Sequence, residues 1–444
     1  MAADGVSDAS PPGGRAILGL LALSAVVGLV VSLGAWCFLE LTHQIQVGVY
    51  DKLPGDLGFD GGAPTWWPLP VLALAGLIVA FAIVRLPGEG GHNPAEGLKM
   101  GATQPLDLPG VMLAAIATVG LGAVLGPEAP LIALGTGLGI LAVRRIRTAG
   151  APVVEVVAAA GSFAAIAFIF GSPLIGAILL LEAAGLDRQK LQIVLPTGLL
   201  AAGIGSLVSI GLGQWTGLST KDYALQTLTL PSFARPDVVD FLWTIPLAAA
   251  IAVGCMAIFT LARAVQPAVM RRAFVLIPVA GLVIAGLAIA FAQATDKDAS
   301  EVLFSGQDAL PGLVNGAGTW SVSALVLLLS FKGLAWSVSL AGFRGGPTFP
   351  GLYMGAAAGI LASHLPGFPI TPAVAVGMGA AVVAVLRLPL SAVVMATLLT
   401  SQSGVGAGPL IIVGVVTASF VAVALDRRRD PEPPSPPPGS AVPA

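Results

Sequence analysis

Glu128 is a lone carboxylate in Gly126-Pro127-Glu128-Ala129-Pro130, set inside a long apolar region. Proline favours the first turn of a helix, where its missing N–H costs nothing. A helix is therefore expected to begin here, within the apolar region. A helix start has free N–H groups and a partial positive charge, and it attracts anions. Glu128 falls in that first turn. Its carboxylate can occupy an anion's place and leave when protonated or displaced, which is gate chemistry. The bland alternative is a helix-end charge contributing about 0.3–1 kcal/mol. At membrane depth an ionisable residue is functional by default. Residues 345–350 (GGPTFP) and 88–94 (GEGGHNP) are two further expected helix starts. Three such ends converging would make an anion site from backbone dipoles, with no cation cage. A sodium or proton pump would want several membrane carboxylates, and here there are Glu128, Glu182 and Glu89.

The elements that hold these stretches must lie in a membrane. Charged residues are 10% of the 444, hydrophobic residues are 56%, and the mean hydropathy is +0.92. A soluble protein of this length could not cover its surface with so few charges. Residues 156–181, 345–386 and 388–425 contain no Asp, Glu, Lys or Arg. Runs that long exceed one membrane helix each, and they lack the short alternation of a β-barrel. The 57 glycines and 35 prolines point to close helix contacts and broken helices, as in transporters and channels. His43, His92 and His364 are too scattered for a zinc or haem site. Cys37 and Cys255 both lie in apolar runs. No metal and no cofactor is expected, and a net charge of −2 argues against nucleic acid as a partner.

The expected layout is a disordered tail over residues 1–15, a membrane half over 16–213, a polar loop over 214–240, a second half over 241–425 and a disordered Pro-rich tail over 426–444. Trp66 and Trp67 are read as interfacial anchors. Arginine clusters at 144–147, 271–272 and 427–429 place those ends, and both termini, in the cytoplasm by the positive-inside rule. The halves echo each other. Residues 120–140 and 341–360 each pair a Gly/Pro knot with a small-residue helix, and GSPLIGAILLLEA and RLPLSAVVMATLL follow them in the same order. Paired halves broken at matching places point to a transport site between them.

At these residues the sequence resembles the ClC family of chloride channels and proton/chloride exchangers, over about residues 17–425. GPEAP is similar to the family's GREGP, and Glu128 falls on its gating glutamate. FKGLAWSVSLAGFRGGPTFPGLYMGAAAG is similar to the family's lysine-led helix, GGxFxP knot and small-residue helix. SPLIGAILLLE and RLPLSAVVMATLL resemble its two PL-containing helix starts, and FLWTIPLAAAIAVGCMAIF the opening of its second half. The resemblance implies an all-α integral membrane fold of ClC type: an inverted repeat of two halves with many tilted and broken helices. It also implies a homodimer with one anion path per subunit. The implied anion-binding residues are Gly90, Gly91, His92, Asn93, Gly126, Ala129, Gly346, Thr348 and Phe349, with Glu128 as the gate.

The departures concern the same site. The family's GSGIP serine has no counterpart in residues 90–94, where His92, Asn93 or backbone N–H would donate instead. No tyrosine follows Tyr353, so the family's C-terminal tyrosine contact is lost. Pro347 brings no N–H, while Thr348 adds a hydroxyl. The family's inner proton glutamate is replaced by Ala183, which leaves its neighbour Glu182 as the candidate for a proton path. Arg344 either adds anion affinity or pairs with a carboxylate such as Glu89.

These readings predict transport of a small inorganic anion, chloride first, through a path gated by Glu128, channel-like or weakly proton-coupled. The alternatives are a proton-coupled exchanger, a carrier of fluoride or nitrate, and a non-transporting relative. An enzyme is not expected, since Ser403-Gly404 has no histidine downstream. The expected setting is a bacterial inner membrane, crossed many times, with the bilayer, the anion and a second copy of the chain as partners.

Overall fold

The structure, a computed structural model, describes residues 14–59, 61–97, 101–145, 150–185, 188–216 and 225–429. Its helices in chain order are α1 (Gly14–Gln46), α2 (Leu53–Asp56), α3 (Pro68–Arg85), α4 (Leu108–Gly120), α5 (Glu128–Arg144), α6 (Ala151–Ile169), α7 (Pro173–Ala184) and α8 (Arg188–Trp215). The second half follows with α9 (Val238–Arg271), α10 (Ala273–Thr295), α11 (Leu310–Asn315), α12 (Val322–Gly342), α13 (Thr348–Ala362), α14 (Ile370–Leu386), α15 (Pro389–Leu399) and α16 (Gly408–Arg429). Among the described residues, β pairing outside named strands is a single antiparallel bridge, Gly126 to Gly346.

Among the described residues, seven helices are long and apolar enough to cross a membrane. Others stop short. α5 has 17 residues, α7 12, α13 15 and α15 11. At 1.5 Å per residue they span about 16–26 Å, less than a hydrocarbon core of about 30 Å. Helices this short do not cross the full core, and two of them, α5 and α13, start at the Gly/Pro knots.

The repeat is visible in the packing. α4, α5, α6, α7 and α8 recur in order as α12, α13, α14, α15 and α16. Gly135 and Gly139 stand 7 and 11 residues after Glu128, and Gly355 and Gly359 stand 7 and 11 after Thr348. A Cβ on Gly135 would lie 2.6 Å from the Gly161 carbonyl carbon, and one on Gly139 2.7 Å from Val157 O. A Cβ on Gly355 would overlap Gly377 O, and one on Gly359 would overlap Ala373 O. The same crossing is thus built twice, α5 on α6 and α13 on α14, from glycines that let backbones touch.

Several boundaries shift from the expected ones. α9 begins at Val238 because Asp237 and Asp240 form a reciprocal capping box, with bonds of 2.9 and 2.8 Å. The described part of the segment before it, residues 225–237, is irregular and tied down: Leu228 N–H donates to Leu399 O and Phe233 N–H to Ser403 O. α16 continues through Arg429, and Asp426 pairs with Arg387 at 2.8 Å, so a tail cannot begin at 426. The rest of that expected tail, residues 1–13 of the other and Arg147 lie outside the described residues. Trp67 is buried, its indole N–H bonded to Val49 O, and so it is a packing residue rather than an anchor.

Candidate functional site

The two knots of the repeat share one frame, Gly-Pro-x-x-Pro, at residues 126–130 and 346–350. Gly126 N–H donates to Gly346 O and Gly346 N–H to Gly126 O, both at 2.7 Å. These amides are spent on the bridge, so Gly126 and Gly346 are corrected from anion donors to spacers. Past the bridge, α5 and α13 start head to head. Leu131 N–H returns to Pro127 O and Gly351 N–H to Pro347 O, and Pro130 and Pro350 have no N–H. The amides without an intrahelical acceptor are those of Glu128 and Ala129 on α5, and Thr348 and Phe349 on α13. Two partial positive ends meet here, an arrangement that favours negative charge between them.

The Glu128 carboxyl group occupies that place. Its Oε1 accepts from Thr348 N–H at 2.5 Å, and the amides of Glu128 and Phe349 also face the carboxylate. The seat exists because both knot glycines lack a side chain: a Cβ on Gly346 or Gly126 would overlap the Glu128 carboxylate. Glu128 is 1% exposed and Thr348 is 0%. Glu128 Oε2 and the Thr348 hydroxyl are buried without a hydrogen-bond partner. Phe349 stacks on Phe170 at 5.3 Å and forms an apolar wall.

Two hydroxyls brace the knots reciprocally. Val124 N–H donates to Ser339 Oγ on α12 (3.0 Å), and Arg344 N–H donates to Thr118 Oγ1 on α4 (3.3 Å). Each bonded amide lies two residues before its bridging glycine. The sequence reading missed this pair and the shared frame. The signal was present as polar residues near the ends of two apolar helices.

The third expected helix start is not one. Residues 87–97 form two single 3₁₀ turns, Pro87–Gly90 and Pro94–Glu96. Gly88, Glu89, Gly90 and Gly91 all take positive φ, from 50° to 98°, and left-handed backbone cannot continue as a right-handed helix. Gly91 N–H closes its own turn on Gly88 O at 2.7 Å, so it too is corrected from the donor set. His92 Nε2 bonds Gly97 O at 3.0 Å, and Asn93 Oδ1 accepts from Ala95 N–H. Gly90 packs against Ala114, Ile83 and the stem of Arg344. Arg344 therefore links this knot to the other two. It is 6% exposed, with Nε donating to Glu89 O (3.3 Å) and Nη1 to Phe343 O (3.2 Å). Its contact with Glu89 is to the backbone carbonyl.

Glu182 sits away from this centre. Its carboxylate accepts from Leu390 N–H (2.9 Å), Ser391 N–H (2.7 Å) and Ser391 Oγ (2.6 Å), at the start of α15. It caps a helix of the opposite half. Ala183 adds no titratable group beside it.

Comparison with known proteins agrees with this architecture. The chain is 30% identical over 367 residues to an Escherichia coli O1:K1 protein named "Putative ion-transport protein YfeO", covering 81% of this chain and 82% of that one. The Escherichia fergusonii protein of the same name is 30% identical over 365 residues, with the same coverage. Among solved structures, a slow cyanobacterial Cl−/H+ antiporter superposes with a TM-score of 0.74 at 20% identity, over 91% of this chain and 94% of that one. A CLC-type fluoride/proton antiporter gives 0.69 at 17% identity, over 93% and 97%. These two share the fold. The family model described as voltage gated chloride channel matches residues 75–423, and with the paired knots and inverted halves of its all-helical membrane fold, the chain belongs to the voltage-gated chloride channel (CLC) family.

Proposed function

We propose that this protein moves a small inorganic anion, chloride first, along a path between the starts of α5 and α13, with Glu128 as its gate. The observation behind this reading is the Glu128 carboxylate seated on the Thr348 N–H, between two facing helix starts. An ionised carboxylate there takes the anion's place. On protonation it no longer needs the seat, and an anion can enter. Flux is therefore expected to rise as pH falls. Ala129, Phe349 and the Thr348 hydroxyl are the remaining donors for the anion. His92 and Asn93, with Gly90 beside them, would shape the approach from the 88–97 knot. Arg344 supplies fixed positive charge there, in a place where no helix dipole is available.

We read proton coupling as weak. Ala183 offers no carrier, and both oxygens of Glu182 are engaged in capping α15. A homodimer in a bacterial inner membrane, with both termini cytoplasmic and one path per subunit, completes the reading. Fluoride is the second reading, favoured by the absence of a serine in residues 90–94 and by the fluoride/proton antiporter among the structural relatives. Proteoliposomes loaded with chloride, fluoride or nitrate test this. Faster efflux of chloride than from empty liposomes is expected. No efflux of any of the three would end the transport reading.

A further inference from the structure

Lys332, in the middle of α12, has 0% exposure, and no step above uses it. Its ammonium has three N–H donors and lies within hydrogen-bond distance of four successive backbone carbonyls, which share them: Glu301 (2.8 Å), Val302 (3.2 Å), Leu303 (2.9 Å) and Phe304 (3.3 Å). It lies 4.5 Å from the centre of the Tyr353 ring, and the Tyr353 hydroxyl donates to the Glu301 carboxylate. A buried charge persists only when paired and hydrogen-bonded, and here carbonyls and ring provide for it together. The carbonyls converge because the turn doubles back. Phe304 takes φ 58° and Gly306 φ 82°, and Gly306 lies against the Tyr353 ring with no room for a Cβ.

The turn so held touches the strand that leads to the gate. Phe304 N–H donates to Gly122 O at 3.0 Å. Tyr50 packs edge-on against Phe304, and its hydroxyl donates to Leu121 O at 3.0 Å. The strand is thus fixed at Gly122 by the turn, at Val124 by Ser339 and at Gly126 by the bridge. Lys332 and Ser339 are seven residues apart on α12 and share a face. One face of α12 therefore holds the gate strand twice, directly and through the turn. The turn also borders a cavity of about 1100 Å³, walled in part by Tyr50, Val119, Lys297 and Gln307. That cavity lies at the Gly120 end of α4, while the 88–97 knot packs along the stretch from Asp107 to Ala114.

We propose that Lys332 is a positioning residue for the gate: its ammonium clamps the 299–307 turn onto the strand that delivers Glu128, and so keeps the carboxylate on the α13 start. This rests on the reading of Glu128 as the gate. With the clamp released, residues 122–126 can shift, the carboxylate loses its seat, and the path opens at alkaline pH.

Lys332→Met removes the charge and keeps most of the side-chain volume. The first readout is hydrogen exchange of the Phe304 amide in purified protein, which should quicken by about tenfold or more as the turn opens locally. The second is anion flux at alkaline pH, which should rise several-fold in the wild-type background and rise no further in Glu128→Gln. A residue that only supports the fold would lower flux in both backgrounds, and that result overturns the proposal, as does unchanged exchange at Phe304. If Lys332→Met does not fold, Tyr353→Phe frees the Glu301 carboxylate and should give both effects more weakly; the absence of both in that variant would overturn the clamp. If Glu128→Gln alone changes nothing, the gate reading falls and this proposal with it. A clear Glu128→Gln effect with no Lys332→Met effect overturns the clamp alone.

Discussion

A methyl group on Gly346 would stand where the Glu128 carboxylate lies. Gly346→Ala should therefore expel the carboxylate while leaving the backbone bridge to Gly126 in place. The expected result is a several-fold rise in anion flux at alkaline pH with a flattened pH response, read in proteoliposomes. Flux that stays low and pH-dependent would mean that the carboxylate does not use this seat. Arg344 makes a different prediction, because its guanidinium hydrogen-bonds backbone carbonyls, with the Glu89 and Glu96 carboxylates near enough to offset part of its charge. One charge about 8–16 Å from an anion at an effective dielectric near 20 contributes about 1–2 kcal/mol. Arg344→Gln should raise the half-saturating anion concentration by roughly fivefold to thirtyfold, with the maximal rate less affected. An unchanged concentration dependence would assign Arg344 to holding the 88–97 knot only.

Helices meet at glycines in this fold, and the two crossings of the repeat should respond alike. Gly377→Val on α14 puts a branched side chain against the Gly355 carbonyl, and Gly161→Val on α6 does the same at Gly135. Overpacking of this kind costs about 1–3 kcal/mol, so each variant should lower the thermal unfolding midpoint in detergent, by similar amounts. A large loss from one and none from the other would deny that the crossings are equivalent. This level of organisation was largely legible from sequence. Charge-free runs marked the membrane, and Gly/Pro knots marked where α5 and α13 begin. The 88–94 stretch misled because its composition matches a helix start, while four successive positive φ values depend on tertiary contacts that composition does not encode. Gly126 and Gly346 were singled out in the sequence as anion donors, whereas their amides bond each other's carbonyls. Only the pairing of two segments 220 residues apart turns their amides inward and leaves Thr348 and its neighbours to face the carboxylate. Lys332 was visible only as the head of a motif, since the carbonyls it holds lie in a turn without any sequence signature.

At the scale of the whole molecule, inverted halves bring two helix starts of like polarity to one point and leave them to be neutralised. One half contributes Glu128 at that point and the other contributes Thr348, so the symmetry of the backbone is broken by chemistry. Proton coupling would need a second titratable group on the path from the other side, and Ala183 is not one. A chloride gradient across proteoliposomes, with voltage clamped by potassium and valinomycin, should accordingly drive little or no uphill proton movement in a recording of external pH. Stoichiometric pumping would contradict this, and its disappearance in Glu182→Gln would move the proton path by one residue. The central claim is that Glu128 occupies and gates an anion's seat between α5 and α13. Its most direct test is chloride efflux from proteoliposomes across a range of pH, wild type against Glu128→Gln. Efflux should rise as pH falls in the wild type and be high and independent of pH in the variant. Identical efflux and identical pH dependence in the two proteins would contradict it.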